Sequence, residues 1–364
     1  MVTRMESSNL DFLRANAVLL VLVFHVLGCF GIRHTGPFNL EAMGHLGVLL
    51  FFVHTSFVLM LSLERQLIKV GRQRLFAIFM VRRCFRIYPL SILFVVLISF
   101  LKLPMTGHPW EMHWVPVGPV DIVSNVLLIQ NLTGSKPVLS PLWSLPFEMQ
   151  MYLLLPGLFL LVRTLKSPWT LVAGCLFVMF IVFVRVRFGH GSLVSYVPCF
   201  LSGIVGYKFS AQSQSRWRFI GWPLVLWMSV AIFMVVGTLE TGRLICFMVG
   251  MTMPHFVEMR NPFLRHTCHL IAKYSYGIYL SHFLCIWLAL ARLRGLLPAQ
   301  LQWLIFITIL AVVPVLLYHG VEEPLIVLGK KVVEERLSSS ARRHTGAGGT
   351  DGKVPETALH RPPA

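Results

Sequence analysis

The stretch Ser140–Pro156, SPLWSLPFEMQMYLLLP, decides how the chain is read. Its second half opens an apolar run that continues to residue 162, enough for a membrane-crossing helix of about 20 residues. Its first half brings Trp143, Ser144 and Glu148 into that same run. A charge at the centre of a span costs about 2.5–3.5 kcal/mol on insertion scales. A carboxylate there must be paired, hydrated or protonated. A helix that carries one is expected to face a protein interior or a watery cavity, not lipid.

The pattern extends in both directions. Apolar runs of helix length fall at 10–30, 44–63, 87–103, 142–162, 169–187, 193–209, 218–237, 241–258, 274–291 and 302–321. They predict an all-α fold, a polytopic integral membrane helical bundle of about ten transmembrane helices. The chain is 56% hydrophobic and only 13% charged, against about 25% charged in an ordinary soluble domain. The segment 121–133 is too short to cross and is expected to lie in the interface or to re-enter. No repeat of fixed period is visible, which weighs against transporter folds built from duplicated halves.

A net charge of +17 would suggest nucleic acid in a soluble protein. Here the basic residues gather in loops between spans, so the expected partner is the lipid bilayer and not nucleic acid. With the N-terminus placed inside, the inner segments hold 23 Lys and Arg and the outer ones eight. That asymmetry predicts both termini cytoplasmic in a cell (inner) membrane. Residues 1–330 form the membrane domain. Residues 331–364, rich in Ser, Gly, Pro and charge, are expected to be a disordered cytoplasmic tail. The seven cysteines show no CxxC spacing and are expected to be free thiols. His108 with His113, and His266 with His269, lack a full ligand set, so no metal is expected.

Five polar stretches interrupt the apolar background. In LDFLRANAVLLVLVFHV, Arg14 and His25 are eleven residues apart. That is about 20° past three full turns, so they share a helix face about 16 Å apart. Asp11, one turn before Arg14, is positioned to pair with it. In RRCFRIYPL, Arg83 and Arg86 are one turn apart, an arrangement suited to bidentate phosphate binding or to a stop signal at the inner face. Trp143, Ser144 and Glu148 form the third stretch. The fourth, KYSYGIYLSHFL, places Ser275, Tyr279 and His282 on one stripe. The fifth has Glu322 and Pro324 where the last span ends.

In order, these stretches resemble the membrane-bound acyltransferase 3 family, which includes polysaccharide O-acetyltransferases, Nod-factor acetylases and macrolide acyltransferases. Leu10-Asp11, Leu13-Arg14, Ala17 and Phe24-His25 are similar to its first span, LDGLRGIAALLVVLFH. Arg83 and Arg86 match its RxxR, and Trp143-Ser144-Leu145, Glu148, Gln150 and Tyr152 match its WSLSVEEQFYL. Ser275–Leu280 with His282 match SYGIYLWH, and Glu322 with Pro324 match ExP. The second span, GVLLFFVHTSF, resembles GVDLFFVLSGF, with Leu49 in place of Asp and His54 in place of Leu.

The resemblance implies an acyltransferase, of the kind moving groups other than aminoacyl, acting on a carbohydrate or lipid-linked glycan acceptor. Its donor would be acyl-CoA, a substrate; no cofactor is implied. Arg14, Arg83 and Arg86 would bind the acyl-CoA, and His25 would be the general base. Glu148 would either hold the His25 tautomer or bind the acceptor. Asp11, His54, Trp143, Ser144, Ser275, Tyr279, His282 and Glu322 would line the acceptor cavity. Read from the residues alone, the same buried ionisable groups also fit an ion- or proton-coupled transporter.

Overall fold

The computed structural model describes residues 7–107, 111–186, 193–211 and 217–346. Twelve α-helices occur among them: α1 (Ser8–Cys29), α2 (Leu40–Leu101), α3 (Pro119–Val126), α4 (Gln130–Thr133), α5 (Leu145–Thr164), α6 (Pro168–Val186), α7 (Leu193–Ser210), α8 (Gly221–Val236), α9 (Leu239–Thr252), α10 (Pro262–Ile286), α11 (Ala299–Leu317) and α12 (Glu323–Gly346). The described strands are one two-residue hairpin, β1 (His34–Thr35) with β2 (Phe38–Asn39). The fold is an all-α polytopic bundle, with six helices long and apolar enough to cross a membrane.

Each of the ten apolar runs falls on a helix. Helix α2 carries two of them. At about 1.5 Å per residue its 62 residues would stretch about 93 Å if straight, roughly twice a whole bilayer. It breaks at Gly71, where φ is 70° and ψ is 173°, a conformation that glycine adopts without a Cβ penalty. The chain doubles back there, so Val48–Leu59 before the break and Arg83–Ile87 after it line one cavity. Helices α7, α8 and α9 are shorter, at 18, 16 and 14 residues. The segment 121–133 forms only α3 and α4, neither long enough to cross.

Helix α1 sits between α2 and α10, and α2 also packs on α7. Apolar side chains are no driving force between helices in lipid, so close approach through small residues sets the packing. A Cβ on Gly47 would lie 2.7 Å from the Ala17 carbonyl oxygen, so α2 can approach α1 only with glycine there. The N-terminus of α1 is tied down by polar bonds instead. The Ser7 and Ser8 hydroxyls donate to the Glu258 carboxylate at 2.8 and 2.6 Å.

Two expectations change. The boundary expected at residue 330 falls inside α12, which runs on to Gly346. Its apolar face still docks: Val333 is buried, and the backbone at Gly329 abuts Phe85. The rest of the expected tail lies outside the described residues. Secondly, Arg83 and Arg86 do not end a loop at the inner face. They sit within the second arm of α2, Arg83 about 18 Å along the helix from Gly71.

Candidate active site

Three cavities follow one another along α1. The first, at the end of the bundle where α1 begins, is lined by Asp11, Arg14, His54, Arg65, Arg86, His269, Lys273 and Tyr318. The second, of about 90 Å³, lies deeper and adds Thr55, Arg83, Ser144, Glu148, Tyr152, Ser275, Tyr276 and Tyr279. The third opens toward the other end, where Asn39, Glu41, His45, Ser140, Trp143 and His25 face it. The first and second share Arg14, His54, Val58 and Arg86. The second and third share only Val48 and Tyr279.

The central cavity answers why Glu148 is tolerated. Its Oε1 accepts from the Thr55 hydroxyl at 3.0 Å and its Oε2 from the Tyr152 hydroxyl at 3.5 Å. Thr55 comes from α2, while Tyr152 is one turn along α5. Arg14 Nε donates to Ser275 Oγ at 2.6 Å, and that hydroxyl donates on to the Ala272 carbonyl. Arg86 pairs with Glu322 at 2.8 Å, joining α2 to the π-helical turn Tyr318–Glu322. Arg83 lies over the Phe79 ring at 5.7 Å, and its Nε has no protein partner. The buried His54 also leaves Nδ1 without a partner. Two such orphaned polar atoms beside a cavity are costly unless a ligand meets them.

Tyr279 closes the central cavity at its far side. Its hydroxyl donates to the Pro141 carbonyl at 2.8 Å, so its proton is used. Ser144, 2.9 Å away, must therefore be the donor in their contact. His25 lies beyond this septum. Its Nδ1 is 2.7 Å from the Val21 carbonyl and 3.2 Å from His282 Nε2. A carbonyl only accepts, so Nδ1 carries the proton and Nε2 is the basic nitrogen of the neutral ring. His282 Nδ1 faces the Ile278 carbonyl at 3.1 Å by the same logic, which leaves its Nε2 as an acceptor for His25.

The structure thus distributes the residues singled out in the sequence. Arg14, Arg83, Arg86, His54, Ser144, Glu148, Ser275 and Tyr279 meet around the central cavity. His25 and Trp143 face the outer one with Tyr279. Four expectations are corrected. Asp11 pairs with His269 at 2.9 Å and not with Arg14, whose guanidinium is drawn to Ser275. Glu148 does not hold the His25 tautomer, because Val21 and His282 occupy Nδ1. His282 lines none of these three cavities and is the buried partner of His25. Glu322 is buried against Arg86 and lines none of these cavities. Gln150 is used structurally: its side-chain amide exchanges hydrogen bonds with that of Asn131 at 3.0 and 3.3 Å.

Thr55, Glu41, His45, Arg65 and Lys273 carry no site role in the sequence, and Tyr152 stands there only as a motif match. Tyr152 had a signal, four residues after Glu148; the others are single polar residues with no local pattern. The seven cysteines are free thiols. Among the described residues no group of three or more His, Cys, Asp or Glu could hold a metal ion. His269 is engaged with Asp11, and His108 lies outside the described residues.

A membrane-embedded bundle with a polar path through its core defines a class of integral membrane enzyme or carrier. Residues 7–319 match the acyltransferase domain of the acyltransferase 3 family, and the chain belongs to that family. It is a membrane acyltransferase, of the kind that moves groups other than aminoacyl. No curated protein and no solved structure matches it.

Proposed function

We propose that the protein takes an acyl group from acyl-CoA on the cytoplasmic side and transfers it to a hydroxyl of a sugar or surface glycan arriving from the other side. The observation that carries this reading is the chain of three cavities, basic at one end and ending on His25 at the other. The excess of Lys and Arg on the Arg65 side favours that side as cytoplasmic, in a cell membrane with both termini inside. Acyl-CoA is a cytoplasmic metabolite and brings anionic phosphates to that end. A central cavity of about 90 Å³ suits a short acyl group, acetyl above all. Arg83 Nε and His54 Nδ1 are polar atoms that the donor arm would satisfy there.

In the proposed reaction, His25 Nε2 takes the proton of the acceptor hydroxyl as its oxygen attacks the thioester carbonyl. A C–O bond forms, the tetrahedral intermediate collapses, and the C–S bond breaks. The departing thiolate recovers the proton from the imidazolium, so the enzyme ends as it began. Val21 and His282 keep Nε2 basic by holding Nδ1–H. The thioester must pass the Tyr279 septum to meet His25.

The test is to supply radiolabelled acetyl-CoA to membranes with and without the protein. Label is expected in surface glycan only when the protein is present, and mass spectrometry should place it as an ester. Equal labelling in both membranes would overturn the reading.

A further inference from the structure

The outer cavity carries a charge pattern opposite to that of the basic end. Among the described residues that line it, Glu41 alone holds a fixed charge, and none is Lys or Arg. Glu41 lies in the first turn of α2, where Asn39 Oδ1 accepts from its backbone N–H at 2.9 Å. That cap fixes the turn, while the half-buried carboxylate has no ion-pair partner among the described residues. His45 follows one turn later on the same face. Its ring meets the rings of Trp143 and Phe233 edgewise, at 6.0 and 6.3 Å between centroids. Glu41, His45, Trp143 and His25 thus face one space of about 560 Å³. Sites for ring-sized ligands have that size, with aromatic walls and a few placed polar groups. A carboxylate held there without a counter-ion attracts cations and repels anions more strongly than one in bulk water, because less solvent screens it.

We propose that Glu41 and His45 form a cation-selecting acceptor subsite, so that the hydroxyl acylated beside His25 belongs to an amino sugar with an unmodified ammonium group. Glu41 pairs with the ammonium, His45 bonds a neighbouring hydroxyl, and Trp143 offers an apolar wall to the sugar ring. The inference rests on the acyltransferase reading above and deepens it by naming the class of acceptor. The pairing also decides which atom is acylated. An amine held as ammonium has no lone pair with which to attack a thioester. The new bond is therefore C–O, the C–S bond breaks, the hydroxyl proton passes through His25 to the departing thiolate, and the ammonium keeps its protons.

Octyl glycosides of different charge test this. Octyl glucosaminide carries an ammonium, octyl N-acetylglucosaminide has the same nitrogen without its charge, and octyl glucuronide is an anion. The full-length protein in phosphatidylcholine vesicles receives acetyl-CoA and each glycoside in turn. The glucosaminide should be acetylated best, to an ester with its amine intact, and the glucuronide least. Glu41→Gln is expected to narrow the preference for glucosaminide over N-acetylglucosaminide by about tenfold, through KM, the worth of one charge-assisted hydrogen bond. Glu41→Asp should keep most of that preference. His45→Phe, which retains an aromatic ring and loses the hydrogen bond, should raise KM for every glycoside. The proposal is overturned by wild-type protein that favours the neutral or the anionic glycoside, by an amide product, by an unchanged KM in His45→Phe, or by a Glu41→Gln variant that loses all acceptors in equal proportion. It also falls if the protein ignores all three glycosides yet labels surface glycan from acetyl-CoA. Failure of that labelling as well would sink the acyltransferase reading of the site itself.

Discussion

At the scale of residues, the proposed reaction turns on which nitrogen of His25 is basic. Two acceptors meet Nδ1, so Nε2 is the unprotonated nitrogen of the neutral ring. His25→Gln offers an amide that cannot take that proton, and transfer should fall by about 10²–10⁴-fold, the usual worth of a general base. The protein level in the membrane must be measured beside it. His282→Ala removes one acceptor but leaves the Val21 carbonyl at 2.7 Å, so the tautomer persists. The expected loss is about tenfold in kcat with little change in either KM. A loss as complete as that of His25→Gln would mean that His282 itself exchanges protons with substrate. Glu148 stands apart from this pair, between Thr55 and Tyr152, and lines the central cavity.

At the scale of elements, the Arg86–Glu322 pair fastens the second arm of α2 to the end of α11. Glu322 is 1% exposed, so losing Arg86 strands a buried carboxylate. Breaking such a pair from one side costs about 3–5 kcal/mol, whereas an apolar replacement of both partners is often neutral. Arg86→Met should therefore melt earlier than wild type in detergent, and Arg86→Met/Glu322→Met should recover much of the loss. Equal melting of the single and double variants would count against the pair as the cause. The α1–α2 contact offers a second check. Gly47→Val must push apart two helices whose backbones nearly touch, at about 1–3 kcal/mol of overpacking. Thermal unfolding would show no shift if the two helices were loosely packed there.

At the scale of the whole molecule, the path from one face to the other is interrupted by a single layer of side chains. Tyr279 and Val48 belong to both the central and the outer cavity. Removing the phenol should join the central cavity to the outer one and, on the proposed reading, admit water to the thioester. Tyr279→Ala is expected to raise acceptor-independent hydrolysis of acetyl-CoA while lowering transfer. Unchanged hydrolysis in a well-expressed variant would show that the septum lies elsewhere. Tyr279→Phe keeps the layer and loses only the bonds to Pro141 and Ser144, so its hydrolysis should stay close to that of wild type.

Sequence alone determined where the apolar helical runs lie, though not α12, because hydropathy and periodicity are local properties of a run. It also marked most polar residues of the central chamber, since a polar group within an apolar span stands out wherever it is. Length alone showed that 121–133 does not cross. Tertiary structure decided the rest. The bend at Gly71 turns one 62-residue helix into two arms and so brings Arg83 and Arg86 beside Thr55. His25 meets His282 across 257 residues of chain, and Tyr279 meets Ser144 across 135. Nothing in the spacing within either helix encodes such a meeting. It depends on which faces two helices turn toward each other, and in lipid that is settled by small-residue packing and by bonds between polar groups that have no water to turn to.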